Sequence, residues 1–248
     1  MTTDRTTREF DPTAGGIRGY FVTGTDTGVG KTVIACGLAT ALGSAGRAVA
    51  AMKPVASGCR ETAAGLRNED AEQLRAAAGV QCSYQEVNPY AFAEPVAPHL
   101  AARAVGRSIE LTAIRSCFEN LAQRADAMVV EGAGGWLVPL NGRDTVADLA
   151  ASLALPVLLV VGMRLGCINH ACLSAQAIRA SGASLAGWVA NCVDPDMARV
   201  EDNVAAISAR LGAPPWCVVP WSERVDTAAV AALLAPVLTP FLRDPKEA

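Results

Sequence analysis

The stretch Gly24-Thr25-Asp26-Thr27-Gly28-Val29-Gly30-Lys31-Thr32 limits the fold more than any other part of the chain. It follows a short apolar run, Tyr20-Phe21-Val22, and leads into residues 31–43, whose spacing predicts a helix with small residues on its packed face. A strand that turns through glycines into a helix rejoins its sheet by a crossover, so its neighbours run parallel to it. Glycines let the backbone fold tightly enough for successive N–H groups to face one anion. The helix start adds its partial positive charge at the same place. In such a loop Lys31 reaches the β- and γ-phosphates of a nucleotide and the Thr32 hydroxyl ligates Mg²⁺. Gly28, Val29, Gly30, Lys31, Thr32 and Val33 are therefore expected to bind Mg-ATP. One departure stands out: the usual G-x-x-x-x-G-K-[ST] spacing places the first glycine at Thr25, whereas the glycine here is Gly24.

The rest of the chain repeats the same alternation. Apolar runs at residues 48–52, 127–130, 157–161, 185–190 and 217–219 predict further strands. Helical spacing covers residues 71–78, 109–124, 168–180, 199–211 and 227–242. Continuous Val/Ile/Leu/Ala runs separated by helices predict parallel strands covered on both faces. The expectation is an α/β fold: one doubly wound, mainly parallel sheet over residues 19–248, after a flexible or disordered extension over residues 1–18. Sheets of this kind place ligands outside the carboxyl ends of their strands. The chemically capable residues fall there: Lys53 after the second strand, Glu131 closing the third, residues 162–169 after the fourth, Asn191 after the fifth, and Pro220-Trp221 after the sixth.

Composition excludes several classes. A net charge of −3 and a pI of about 5.5 offer no basic stripe for nucleic acid. The longest apolar run, residues 153–163, contains Pro156 and falls short of the roughly 20 residues that span a bilayer. Residues 1–16 lack the apolar stretch of a secretory signal. The eight cysteines form no C-x-x-C pair and no zinc spacing, and most sit in apolar stretches, which favours a reducing cytoplasm.

Three residues carry chemistry beyond the loop. Lys53 ends a buried strand before Pro54 and supplies a second cation to stabilise phosphoryl oxygens. Glu131 precedes Gly132-Ala133-Gly134 and is placed to ligate Mg²⁺, which prefers hard oxygens. Asn68-Glu69-Asp70 reads, taken alone, as a helix N-cap cluster, with Asp70 the weaker candidate for a second carboxylate ligand. The start of a helix at Gly166-Cys167-Ile168-Asn169 could hold a carboxylate on its N–H groups. The two histidines, His99 and His170, have no Ser or Cys partner in a nucleophile pattern and read as structural or as part of a site rim.

Together these stretches resemble the dethiobiotin synthetase family. The matching segments include Lys53-Pro-Val-Ala-Ser-Gly, Gly65-Leu-Arg-Asn followed by Asp70, Asn88-Pro-Tyr, Phe92-Ala-Glu-Pro, Val130-Glu-Gly-Ala-Gly-Gly-Trp, Leu165-Gly-Cys-Ile-Asn-His and Gly187-Trp-Val-Ala-Asn. They run in order over most of the chain. The resemblance implies a P-loop ligase domain that carboxylates 7,8-diaminononanoate with CO₂ to a carbamate. ATP then phosphorylates the carbamate, and the ureido ring closes to give dethiobiotin, ADP and phosphate. It implies Lys31 and Lys53 as catalytic cations and Thr32, Asp70 and Glu131 as Mg²⁺ ligands. Gly132, Ala133 and Gly134 would join the nucleotide site, with Asn191, Cys192, Pro220, Trp221 and Ser222 around adenine. Thr27 and Ser57 would contact the diamine. Gly166, Cys167, Ile168 and Asn169 would take its carboxylate from the neighbouring subunit of a homodimer. Two positions depart from the pattern: Gly28 stands where some members carry glutamate, and Cys192 where some carry an aspartate beside adenine.

Two rivals share the loop. A partition or cell-division ATPase usually carries a lysine near the start of the loop, where this chain has Thr25-Asp26-Thr27. Its membrane-binding members add a basic amphipathic C-terminal helix, whereas residues 225–242 here are nearly uncharged. A cobyrinate amide synthase needs an amidotransferase domain, for which 248 residues leave no room.

Overall fold

The computed structural model describes residues 18–224 and 226–242. The extension expected over residues 1–18 lies outside them, apart from Arg18, which opens the first strand. In chain order the elements begin with β1 (Arg18–Gly24), α1 (Lys31–Ser44), β2 (Val49–Met52), β3 (Val55–Ala56), β4 (Arg60–Thr62), β5 (Gly65–Arg67) and α2 (Glu69–Ala77). Then come α3 (Tyr84–Val87), β6 (Tyr90–Ala91), α4 (Pro98–Ala104), α5 (Leu111–Ala122), β7 (Ala127–Gly135), α6 (Val146–Leu153) and β8 (Val157–Met163). The last are α7 (Cys167–Ala180), β9 (Leu185–Cys192), α8 (Val200–Leu211), β10 (Val218–Val219) and α9 (Thr227–Leu242).

Six strands form one parallel sheet in the order β10-β9-β8-β1-β7-β2. Side chains alternate along each strand, so the sheet builds two cores. Tyr20, Val22, Val129, Leu158 and Val160 face α1, α9 and Leu74 of α2. Phe21, Met128, Val130, Leu159 and Val161 face α5, α6, α7 and α8. Each fully buried aliphatic side chain on either face contributes roughly 1.5–3 kcal/mol. Helix α9 lies directly on α1, because a Cβ at Gly37 would come within 2.4 Å of Val230 Cγ1. Its buried residues Val230, Ala231, Leu234 and Leu238 make it a packed helix.

The P-loop NTPase-type α/β fold agrees with the alternation read from sequence, with corrections at the edges. Strand β7 does not close at Glu131 but runs on to Gly135. Asn191 and Cys192 lie inside β9 rather than after it. The helix expected over residues 109–124 is shorter, and Ile109 is a buried residue ahead of it. Short elements β3 to β6, α3, α4 and α6 add a small subassembly over the β2 edge and a further helix on the second core. All eight cysteines are free thiols. Among the described residues, no helix is long and apolar enough to cross a membrane.

Candidate active site

The loop after β1 is packed by its own valine. Val29 is 1% exposed. A Cβ at Gly24 would lie 2.6 Å from Val29 Cγ2 and 3.1 Å from Lys31 Cδ, and a Cβ at Gly162 would lie 2.8 Å from Val29 Cγ1. Gly24, displaced by one residue from the usual spacing, therefore makes room for Val29 and the Lys31 stem. Gly30 caps α1 in the left-handed region at φ +86°, and a Cβ there would strike Asn191 Nδ2 at 2.1 Å. Asn191 occupies that space because its carboxamide donates to the Val29 carbonyl at 2.9 Å. Asp26 ties the loop further: its Oδ1 accepts the Thr27 N–H at 2.7 Å, its carbonyl accepts Lys31 Nζ at 2.9 Å, and its Oδ2 pairs with Arg164.

Beside the loop lies a buried charge cluster. Lys53 Nζ donates to Asp70 Oδ2 at 2.9 Å and to Glu131 Oε1. Thr32 Oγ1 donates to the same Glu131 oxygen at 3.0 Å. Glu131 is 1% exposed, and its Oε2 has no hydrogen-bond partner among the described residues. Burial pushes the Glu131 carboxyl up, against the pull of Lys53. Burial opposes the charge on Lys53, but Glu131 and Asp70 outweigh it and hold the ammonium raised. Burial works against the Asp70 carboxylate too, yet the Lys53 ammonium holds it below its ordinary value. Among the described residues Lys31 pairs with the Asp26 carbonyl and with no carboxylate. Its desolvation, with Lys53 nearby, lowers it to about 8.

The Asn68-Glu69-Asp70 cluster divides its roles. Asn68 is the cap, accepting the Ala71 N–H at 3.2 Å, while Asp70 in the first turn of α2 turns to Lys53. Glu131 itself stays in register opposite Val22, and the strand departs from that register only beyond it. Between the pairs Val22↔Glu131 and Gly24↔Gly135, β1 advances two residues and β7 four. This bulge at Gly132-Ala133-Gly134 swings the strand end toward the loop, and a Cβ at Gly134 would lie 3.5 Å from Thr27 Oγ1.

Other expected residues sit around this centre. Ser57 follows β3, and its Oγ is buried with no hydrogen-bond partner among the described residues. Gly166 caps α7 at φ +95°. Cys167 is buried and its N–H is taken by the Arg164 carbonyl at 3.0 Å, which leaves Ile168 and Asn169 as the next N–H groups of the helix start. Cys192 and Trp221 meet: burial raises the thiol, and a hydrogen bond from the Trp221 backbone opposes that. Trp221 is 44% exposed, and Ser222 Oγ closes a turn on the Arg224 carbonyl at 2.8 Å. Pro220 is exposed beside them. Gly28 is exposed, and a Cβ there would meet no atom of the described residues within 4 Å. Val33 is half-buried on α1. His99 is half-buried, its Nδ1 without a hydrogen-bond partner among the described residues, and His170 is exposed on α7.

Thus two cations, one hydroxyl and two carboxylates from β1–α1, β2, α2 and β7 converge within hydrogen-bonding distance of one another or of the loop. Such a set can hold a polyphosphate and stabilise charge on a transferring phosphoryl group. A family model described as an AAA domain matches residues 18–229. An ATP-dependent dethiobiotin synthetase of Pseudomonas aeruginosa is 57% identical over 218 residues, 87% of this chain and 95% of the relative. This chain belongs to the dethiobiotin synthetase family. The family's members are ATP-dependent ligases that form C–N bonds. The synthetase of Xanthomonas oryzae pv. oryzae is 50% identical over 212 residues, 86% of this chain and 95% of the relative.

Solved structures show the same fold at low identity. The septum site-determining protein MinD of Pyrococcus horikoshii, complexed with Mg-ADP, aligns with a TM-score of 0.56 at 14% identity, over 90% of this chain and 97% of that one. A ParA family ATPase of Chlorobium tepidum aligns with a TM-score of 0.52 at 15% identity, over 91% of this chain and 98% of that one. At those identities the likeness extends to the fold and no further, so it gives the partition-ATPase alternative less support than the synthetases give the ligase.

Sequence reasoning missed Tyr84, Asn88 and Arg164 as parts of the site's frame. The capping box at Ser83 and Glu86 was a visible sign of α3. The partners of Tyr84, Asn88 and Arg164 in other elements left no local signal.

Proposed function

We propose that this chain closes 7,8-diaminononanoate and CO₂ into dethiobiotin at the expense of ATP. The observation that carries this function is the Lys53 ammonium seated between Asp70 and Glu131 beside the phosphate loop, in a chain 57% identical to a named synthetase. One substrate amine attacks CO₂, forms a C–N bond and loses a proton, giving a carbamate. A carbamate oxygen takes the γ-phosphoryl group and ADP leaves. The second amine attacks the carbamoyl carbon, the C–O bond to phosphate breaks, and phosphate departs as the amine loses a proton. No protein nucleophile is required, so the protein's work is positioning and charge stabilisation. Lys31 and Lys53 supply the charge.

Thr32, Asp70 and Glu131 are hard oxygen donors of the kind Mg²⁺ takes, and the unpartnered Oε2 of Glu131 is suited to it. These three residues would hold the ion, which when bound neutralises charge on the phosphate oxygens. Asn191, Cys192, Pro220, Trp221 and Ser222 would frame adenine. Thr27 and Ser57 would face the diamine. The α7 start at Gly166-Cys167-Ile168-Asn169 would take the substrate carboxylate across a homodimer interface. The eight free thiols favour a reducing, cytoplasmic setting.

The test is direct: protein, 7,8-diaminononanoate, bicarbonate and MgATP, with mass detection of dethiobiotin and a count of ADP. Dethiobiotin formed in step with ADP supports the function. ADP released without the diamine, or no dethiobiotin at saturating substrates, overturns it in favour of a nucleotide-switched ATPase.

A further inference from the structure

Lys53 must be held by its backbone as well as by its side chain. It leaves β2, the edge strand of the sheet, and precedes Pro54, which has no N–H to continue a ladder. Its main-chain groups find partners elsewhere. The Lys53 N–H donates to the Val87 carbonyl at 2.9 Å. Its carbonyl accepts Asn88 Nδ2 at 2.6 Å.

From Asn88 the bonds run in a closed ring. Asn88 Oδ1 accepts the Tyr84 hydroxyl at 3.0 Å. That hydroxyl accepts the Asn68 N–H at 2.6 Å. Asn68 caps α2 through Ala71, and Asp70 in the first turn of α2 returns to Lys53 Nζ at 2.9 Å. One phenol oxygen and one carboxamide therefore link the main chain of the catalytic lysine to the helix that carries its carboxylate partner.

The ring is built to be stiff. Tyr84 is 4% and Asn88 3% exposed, so water does not compete for these bonds. Their short helix α3 is fixed at its start by the reciprocal Ser83–Glu86 capping box, and Glu86 is paired with Arg124 of the region after α5. The Arg67 guanidinium lies 4.2 Å from the centroid of the Tyr84 ring and covers its outer side.

We infer that Tyr84 and Asn88 are positioning residues, which set the Lys53–Asp70 pair at the phosphate loop without touching substrate. This rests on the ligase function proposed above. A displacement of about 1 Å at a reacting group costs on the order of 100-fold in rate, and an open relay releases both the Lys53 carbonyl and the α2 cap.

The experiment is Tyr84→Phe, which keeps the ring and its contact with Arg67 and removes both hydroxyl bonds. The expected result is a kcat lowered by about 10- to 100-fold, with KM for MgATP and for the diamine changed less than about threefold, measured well below the melting temperature. Asn88→Ala should lower kcat similarly, and the double variant should lose little more than either single one. A Tyr84→Phe enzyme with lower thermal stability and unchanged kcat overturns the inference, as do losses that multiply in the double variant. Should Asn88→Ala fail to fold, Tyr84→Phe decides alone. A crystal structure of Tyr84→Phe provides the activity-free readout. A Lys53–Asp70 contact left in place overturns the inference, even if the wild-type protein makes no dethiobiotin, whereas a separated pair supports it. Absence of dethiobiotin from the wild type overturns only the ligase function.

Discussion

Asn191 at the end of β9 donates its carboxamide N–H to the Val29 carbonyl in the phosphate loop at 2.9 Å. The two residues are far apart in sequence, and the bond fixes the loop from the side opposite Lys53. It also explains why residue 30 is glycine, since any Cβ there would occupy the carboxamide's place.

Asn191→Ala should leave the buried Val29 carbonyl without its donor. The expected stability loss is about 1–3 kcal/mol, and nucleotide affinity should fall several-fold as the loop loosens. Thermal melting and calorimetric titration with MgATP check both. Gly30→Ala should be worse on each measure, because it adds a left-handed strain to the same broken bond. An Asn191→Ala protein that binds MgATP as tightly as the wild type would show that the loop holds its shape without the carboxamide.

Lys53→Met should lower turnover by roughly 10²–10³-fold while the chain stays folded. Removing one partner of a buried pair leaves the other charge uncompensated, a cost of about 3–5 kcal/mol, unless that group can neutralise itself. Glu131 can, because burial already raises its carboxyl. The sign follows: a carboxyl raised in the folded state binds its proton more tightly there, so the variant's stability is lost as pH rises through that value. Lys53→Met should therefore melt higher at pH 5.5 than at pH 8 relative to wild type, and adding Glu131→Gln should remove that difference. Turnover like the wild type's would strike Lys53 from the catalytic set.

Lys31 gives the opposite pH signature. Its ammonium is lowered from 10.5 to about 8 by burial and by Lys53. The unfolded chain binds more protons than the folded one between those values, so the Lys31 contribution to stability rises with pH across that window. A polyphosphate beside Lys31 should restore the charge. MgATP binding at pH 8.5 should then take up a large fraction of a proton, and binding at pH 6.5 close to none. Calorimetry in two buffers of different ionisation enthalpy measures this uptake, and Lys31→Met should abolish it. Equal proton uptake at both pH values would rule out Lys31 as its source.

The loop, the strand–helix alternation and the carboxyl-end placement of Lys53 and Glu131 were legible because each is written in consecutive residues. The run of β7 through Gly132-Ala133-Gly134 was not, because glycines read as a turn and only pairing with β1 makes them a strand. Asp70 was ambiguous for a different reason. The cap and the carboxylate partner stand two residues apart, and only the fold shows that Asn68 takes the first role while Asp70 faces Lys53. Tyr84, Asn88 and Arg164 were illegible as parts of the site because the partners that tie them to it, Asn68, Lys53 and Asp26, lie in other elements. Helix α6 was readable in principle, since Thr145 and Asp148 form a capping box at its start.

Arg164 offers a contrast to Asn191 in how it holds the loop. It sits between β8 and the α7 cap and pairs with Asp26, with side chains 40% and 50% exposed. Exposed pairs of this kind contribute about 0–1 kcal/mol and are screened by salt. Arg164→Ala should therefore shift the melting temperature by no more than about 4 °C. Asp26, however, also holds the Thr27 N–H and, through its carbonyl, Lys31 Nζ. Freeing it should weaken MgATP binding by a few-fold at low salt and by less at high salt, because screening already weakens the pair in the wild type. Asp26→Asn should produce the same pattern, and the double variant should add nothing beyond it. A loss in Arg164→Ala that is as large at high salt as at low salt would mean that the arginine acts on the nucleotide directly and not through Asp26.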